Sequence, residues 1–526
     1  MGLFSKNIHR NIYLFSLMLT AVSLPFSRFG MSVSILVLTV NWLLEGNLIE
    51  KFKSFFKNRA ALVFTSFFLI HIIWLLNTSN FNYAIDDLRT KIPILAFGVI
   101  LPTSGTISNK EFWRILKLHI SAVLVAVFIG FFIFFTKEIN EIRQISPFIS
   151  HIRLSLNVCM AFFSVLYLIL KSEKTNRIEK SALIILDIIF FLFLLTLQSL
   201  TGLVLVWVVL FLLLIHYIIK HKIKIVLKIS LFLILIIVPI LSILYFYKTV
   251  NGYIKPYQYS VEELNDTSYF GNTYTHDTIL LPVENGYWIG QYIILDELEE
   301  AWNKRSNIDF YSYDYKNQDV RITLIRYLNS KGSRKDYKAV EALSDKEIQD
   351  IENGIANINY TEGFGFKVRL FKIIWEYQNY KLNGGVEGHS IIQRIELWRL
   401  SKDLIKQNWL WGCGTGDVPT VFKEEMIKQD SPLKESRMRS HNQYFSILIT
   451  FGIFGFIWFI FILLYPFLFL GKQFDYFYVV FFIIFVLSML VEDTIESQEG
   501  LTFFVFFNTL FLFLRPQNSS HERKRN

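Results

Sequence analysis

The tract Arg439-Ser440-His441-Asn442-Gln443 stands directly before an apolar run that carries Gly452 and Gly455. An imidazole titrates near neutral pH, so a histidine at the lip of a membrane helix can take a proton from a hydroxyl brought to the bilayer surface. The same residue can also do no more than anchor the helix end, with its ring spanning the polar boundary. Asn442 beside it is a candidate contact for sugar hydroxyls. Upstream, Gln393-Arg394-Ile395-Glu396-Leu397-Trp398 sets a permanently charged guanidinium on a helical pattern. Such a group can grip a phosphate through two parallel hydrogen bonds, or can lie solvated on a polar face. Two further cationic positions are Arg153, beside His151, and Arg89 with Lys91. Each sits at the end of an apolar block, where it could face a phosphate or snorkel to lipid headgroups. The turn Glu492-Asp493-Thr494-Ile495-Glu496 adds three carboxylates, of which Glu492 and Asp493 are candidates to orient His441 or bind sugar hydroxyls; as loop charges they could equally be solvated.

The run Gly412-Cys413-Gly414-Thr415-Gly416-Asp417 lacks the Lys-Ser/Thr of a phosphate-binding P-loop and the buried strand of a dinucleotide site. It reads as a turn returning a loop helix to the membrane, so Gly412, Gly414 and Gly416 are structural. Gly452 and Gly455 are also structural, since small residues let another helix approach closely. Cys159 and Cys413 imply no disulfide framework. No His, Cys, Asp or Glu spacing matches a zinc or calcium site, and neither metal nor cofactor is expected.

Apolar blocks position these residues. The chain has 526 residues, 53% hydrophobic and 18% charged, and its apolar residues come in runs close to the roughly 20 needed to span a bilayer. The runs fall near 11–27, 29–44, 60–78, 92–102, 113–135, 153–170, 181–198, 201–219 and 225–246, with three more near 441–470, 476–491 and 500–514. The fourth is short and begins at Pro93, so it is tilted, re-entrant or extended at its ends. Residues 11–26 resemble a secretory signal in hydropathy but are read as a retained first span. The expected fold is an all-α polytopic membrane protein with about twelve spans.

Lysine and arginine in short loops are retained on the cytoplasmic side. Lys6 and Arg10, the group Lys51 to Arg59, the groups Lys171 to Lys180 and Lys220 to Lys228, and the tail Arg515, Arg523, Lys524 and Arg525 all fall on one side. The net charge of +9 is therefore topological and no nucleic acid is expected. Both termini are expected in the cytoplasm. The expected domains are a nine-span bundle over 1–246, an extracytoplasmic domain over 247–440 between spans 9 and 10, three spans over 441–515 and a tail over 516–526. The outer domain should be mainly helical. Ser344 with Glu347 forms a capping box, Ile322 to Leu328 reads as a helix closed by Gly332, and Lys367 to Lys381 as one stopped by Gly384 and Gly385. Tyr287 to Leu295 is strand-like.

His441-Asn442, nine residues and then Gly452-x-x-Gly455, preceded by the Arg394 helix and the glycine-rich turn, resembles the signature of the O-antigen ligase and O-antigen polymerase superfamily. The last quarter of the chain carries nearly all of the resemblance. It implies a metal-independent glycosyltransferase of the bacterial inner membrane, active on the periplasmic face. The implied donor is an undecaprenyl-diphosphate-linked glycan, and the implied acceptor is lipid A core or another glycan. His441 is then the base, while Arg394, with Arg153 or Arg89, holds the leaving diphosphate. Many members carry an arginine at the outer start of the span that begins near Gln198 to Thr201, and this chain has none there. Two chemically close alternatives are an O-antigen or exopolysaccharide polymerase and a protein O-oligosaccharyltransferase. A transporter of polyisoprenoid-linked glycan is a third, disfavoured by mid-spans rich in Phe, Leu, Ile and Val.

Overall fold

The computed structural model describes residues 5–137, 142–171, 176–220, 224–255, 267–277, 279, 281–362, 366–383, 390–436 and 439–515. The helix stop at Gly384 and Gly385, the loop residues Lys174 and Lys222, and the tail 516–526 with Arg523, Lys524 and Arg525 lie outside the described residues. The chain divides into two compact units, Met1–Leu214 with Arg394–Asn526, and Ile215–Gln393.

The first unit is built of helices whose starts are set by polar caps. The side chain of Asn58 accepts from Ala61 N ahead of Arg59–Ile73, and Ser108 and Glu111 form a reciprocal capping box ahead of Asn109–Thr136. Among the described residues, five helices are long and apolar enough to cross a membrane: Arg59–Asn77, Asn109–Thr136, His151–Lys171, Leu200–Lys220 and Gln443–Leu470. Arg28–Leu44 with Leu48–Lys57, bent by 112°, makes six if the pair is one span. The protein is thus mostly helical with five to six candidate spans. Other apolar blocks also form helices, among them Lys6–Ser23, Arg177–Thr196 and Ile225–Ile254; Tyr476–Ser488 has 13 residues and rises only about 20 Å of the roughly 30 Å of hydrocarbon.

The fourth block is a longer helix than its apolar run, Phe81–Thr103, capped by Asn80 and holding Pro93 inside it. The polar turns before Pro93 are helical because their charges find partners. Lys91 is fully buried and pairs with Asp87 on its own helix and with Glu496. The core between helices is rich in phenylalanine: Phe485 and Phe504 stack at 4.1 Å between ring centroids, and Phe481, Phe507 and Phe511 extend the cluster. Leu36, Phe128, Phe132 and Phe135 point outward and exposed, as expected of helices solvated by lipid.

The second unit holds the long helix Ile225–Ile254, two small antiparallel sheets and short helices. Val283–Glu284 and Tyr287–Trp288 form a hairpin through Asn285 and Gly286, both at positive φ, the backbone a primed turn requires. The expected capping box at Ser344 and Glu347 is present, and Val320–Ser330 is followed by Gly332 at φ +70°. Trp302, Phe310, Leu324, Tyr327 and Ile351 form its core.

Candidate functional site

Asn442 caps the helix Gln443–Leu470, its side-chain oxygen accepting from Tyr444 N and Phe445 N while its amide donates to Leu490 O at 3.0 Å. Its polar atoms serve the fold, which leaves little capacity for the sugar contact expected of it. The residue before it, His441, has φ +48°, a left-handed conformation that a β-carbon makes costly by about 1–2 kcal/mol. Asp493 compensates. Its carboxylate accepts from His441 N at 2.9 Å, Ser440 Oγ at 3.1 Å and Ser446 Oγ at 2.7 Å. Three donors on one carboxylate fix the loop and aim the imidazole away from the backbone.

The imidazole faces Glu492, with Nδ1 at 3.8 Å from Oε2, an ion-pair distance rather than a hydrogen bond. Arg394 reaches the same carboxylate from the helix Ser390–Gln407, donating from Nη2 to Oε1 at 2.5 Å and from Nε to Val491 O at 3.0 Å. Arg153 arrives from the start of His151–Lys171; its Nη2 donates to Asp493 O at 3.3 Å and lies 4.0 Å from Glu492 Oε2. Nη1 of Arg153 is buried and has no hydrogen-bond partner. Burial alone would raise the Glu492 carboxyl, but His441, Arg153 and Arg394 outweigh it and bring it down to about 2. Three bases from three chain segments therefore meet at one carboxylate that stays ionised. Such a cluster leaves an imidazole beside two guanidinium groups, the side chains best suited to grip a phosphate.

A second cluster escaped the sequence reading. Glu496 pairs with Lys91 at 2.8 Å and Arg439 at 2.6 Å, and accepts from Gln443 Nε2 at 2.8 Å. Although buried, its carboxyl lies well below the usual range because of Lys91 and Arg439. Gln443 Oε1 in turn accepts from Ile495 N, so the carboxylate turn is tied to the residues on both sides of His441. The available signal was Asp87 and Lys91 at i, i+4 beside an apolar block, a spacing that permits a buried pair. Arg89, named with Lys91 from the sequence, is instead exposed and pairs with Asp86 one turn back. The structure brings Lys91 to the turn and leaves Arg89 on the surface.

The glycines brace this arrangement. Helix Gln443–Leu470 breaks at Gly452, where φ is +62° and ψ −163°. Into the break fits the turn 409–414: Cys413 N donates to Ile449 O, Gly414 N to Thr450 O, and Ile453 N to Trp409 O. These bonds replace helical ones lost at the kink. A β-carbon on Gly412 would sit 2.3 Å from Thr450 O, and one on Gly452 2.3 Å from Leu410 O. Gly414 and Gly416 approach Asn77 O and Asn80 O as closely, and Asp417 accepts from Ser79 N and Asn80 N. The Gly452–Gly455 pair thus admits a turn rather than a neighbouring helix. At Gly455 the near neighbour is Phe451 of the same helix, at 2.2 Å. Among the described residues, no three His, Cys, Asp or Glu side chains are grouped to hold a metal ion, and both cysteines are free.

Residues 354–460 match the family model described as O-antigen ligase. The match covers about a fifth of the chain and bears out the resemblance to that superfamily. It includes Arg394, the glycine-rich turn, His441, Gly452 and Gly455, whereas Arg153, Glu492 and Asp493 lie outside it. No curated protein matches the chain.

Proposed function

We propose, taking the O-antigen ligase match over 354–460 as the premise, that this chain transfers a glycan from an undecaprenyl-diphosphate carrier to an acceptor, lipid A core in the first instance. Members of that superfamily are glycan ligases and polymerases, and a multi-pass membrane protein of the same transferase kind is what the apolar helices and the match support together. The finer layout follows the sequence: about twelve spans, both termini in the cytoplasm, 247–440 in the periplasm of a bacterial inner membrane, and the reacting groups on that face.

The observation that carries the reading is the convergence of His441, Arg394 and Arg153 on Glu492. His441, held by Asp493 and paired through Nδ1 with Glu492, takes the proton of the acceptor hydroxyl. The hydroxyl oxygen attacks the anomeric carbon of the donor. The bond from that carbon to the diphosphate oxygen breaks, and undecaprenyl diphosphate leaves with the bonding pair. Its developing charge falls to Arg394 and Arg153, the latter with an unused donor. Glu492 keeps both guanidinium groups and the imidazole in place before the diphosphate arrives. No metal or nucleotide enters this scheme.

The same step with a repeat unit as acceptor would be polymerisation, and with a protein hydroxyl would be protein glycosylation. A deletion strain carrying His441→Ala at wild-type level tests the reading. Lipopolysaccharide lacking attached glycan, with lipid-linked donor accumulating, is the expected result. Unchanged lipopolysaccharide would overturn the lipid A core assignment, and polymer length and glycoprotein would then identify the acceptor.

A further inference from the structure

At the end of the first unit far from His441, two antiparallel helices leave an open cleft. Arg59–Asn77 starts there and runs to the glycine-rich turn, where Asn77 Nδ2 donates to Gly412 O, while Gln443–Leu470 runs back from the His441 loop. Trp458 Nε1 donates to Ser66 Oγ at 2.9 Å and fixes their register at mid-length. The 19 residues of Arg59–Asn77 rise roughly 28 Å, close to the thickness of the hydrocarbon layer, so the cleft lies one bilayer away from the glycine-rich turn. It encloses about 600 Å³, and Ser54, Lys57, Arg59, Tyr465, Phe469 and Leu470 stand in its walls, with no carboxylate among the lining residues.

The corner of chain beside the cleft concentrates positive charge. Helix Leu48–Lys57 ends and Arg59–Ile73 begins across one extended residue, Asn58, at φ −92° and ψ 96°, whose side chain caps the second helix. Lys57 and Arg59 flank this corner, and Lys53 stands one turn before Lys57, a like-charge spacing that is unfavourable by itself. All three are exposed, and among the described residues none has a hydrogen bond or an ion pair. Glu50, the one carboxylate on their helix, pairs with none of them, which leaves an excess of two positive charges. The Tyr465 ring packs against Phe461 and Phe469, at 5.7 and 5.0 Å between centroids, while its hydroxyl and that of Ser54 have no hydrogen-bond partner among the described residues. Phe469 and Leu470 are exposed beside them. Helix Leu48–Lys57 is set at 112° to Arg28–Leu44 and exposes Ile49, Phe52 and Phe56 on one side, the layout of a helix lying along a membrane surface.

Cations and hydroxyl donors beside an apolar wall, at the level where the membrane ends, are the chemistry of an anionic phospholipid. The phosphodiester accepts from the polar groups, and the acyl chains cover the apolar wall. We propose that this cleft binds an anionic glycerophospholipid, on the face that the lysine and arginine distribution predicts to be cytoplasmic. The bound headgroup offsets the repulsion at the Lys57 and Arg59 corner and seats the surface helix against the end of Gln443–Leu470. The site is remote from His441, and the inference is independent of the glycan-transfer reading.

Native mass spectrometry of the detergent-purified full chain, titrated with phosphatidylglycerol, cardiolipin or phosphatidylcholine, tests it. The two anionic lipids are expected to bind at least about tenfold more tightly than phosphatidylcholine, the scale that two basic side chains give at a membrane surface. Lys57→Ala with Arg59→Ala should remove that preference, whereas Lys57→Arg with Arg59→Lys, which keeps both charges, should retain it. Arg177→Ala with Lys180→Ala removes as much exposed charge from the same predicted face outside the cleft, and should leave the preference unchanged. Equal affinity for the three lipids, or an equal loss in the two alanine variants, would overturn the site. Inorganic phosphate at matched concentration should not displace the lipid; displacement would assign the corner to a free anion and overturn the lipid.

Discussion

Glu492 accepts a 2.5 Å hydrogen bond from Arg394 on one oxygen and faces His441 Nδ1 at 3.8 Å with the other. One carboxylate thereby links the proposed base to the proposed diphosphate ligand. Removing its charge while keeping its shape should uncouple them. Glu492→Gln is expected to lower glycan transfer by roughly 100-fold, the scale of losing a positioned acid–base partner. Transfer from labelled donor measures this, and a fall under about threefold would place Glu492 outside the mechanism.

The same carboxylate predicts a pH dependence of stability. Its folded-state value of about 2 lies below the ordinary 4.5, so folding favours the ionised form. That stabilisation is complete above about 4.5 and disappears as pH falls through that value toward 2, amounting to roughly 3 kcal/mol. Thermal melts of detergent-purified protein from pH 6 to 3 should fall more steeply for wild type than for Glu492→Gln. Parallel curves would contradict the shift.

Gly452 and Gly471 both have positive φ but differ in their surroundings. A β-carbon at Gly452 meets Leu410 O at 2.3 Å, whereas at Gly471 nothing lies within 4 Å. Gly471→Ala should cost about 1 kcal/mol, the left-handed backbone alone. Gly452→Ala should cost roughly 3 kcal/mol or more, because it also drives the turn out of the helix break. Comparing the melting temperatures of the two variants measures the difference, and equal shifts would refute the brace.

Arg89 and Lys91 stand two residues apart with opposite expectations. Arg89 is exposed beside Asp86, so Arg89→Ala should change stability by no more than about 0.5 kcal/mol. Lys91→Met takes the buried ammonium from Asp87 and leaves Glu496 to Arg439 and Gln443, and removing one partner of a buried pair costs about 3 to 5 kcal/mol. Expression level and melting of the two variants read this directly; a tolerant Lys91 would mean the pair is solvated.

The order of apolar blocks, the helix starts and the capping box at Ser344 and Glu347 were legible because periodicity and capping are local. His441, Arg394 and Arg153 were each legible as a residue type at a boundary. Their meeting at Glu492 was not, because it depends on how helices separated by hundreds of residues pack. Lys91 illustrates the same limit: at the edge of a short apolar block it reads as a headgroup contact, and only Glu496, far along the chain, reveals it as buried. The glycine pair at 452 and 455 matched a helix-packing spacing, yet the positive φ at Gly452 admits a turn instead, a backbone choice that spacing does not encode. Apolar composition marks every block, while among the described residues five to six helices have both the length and the hydropathy to cross.

The most direct measurement is single-turnover transfer by the purified full chain, from a labelled lipid-linked donor to acceptor, with donor binding measured in parallel. The account predicts that His441→Ala binds donor as wild type does but transfers at least about 100-fold more slowly, while Arg394→Ala loses donor binding as well. Wild-type transfer by His441→Ala would contradict it.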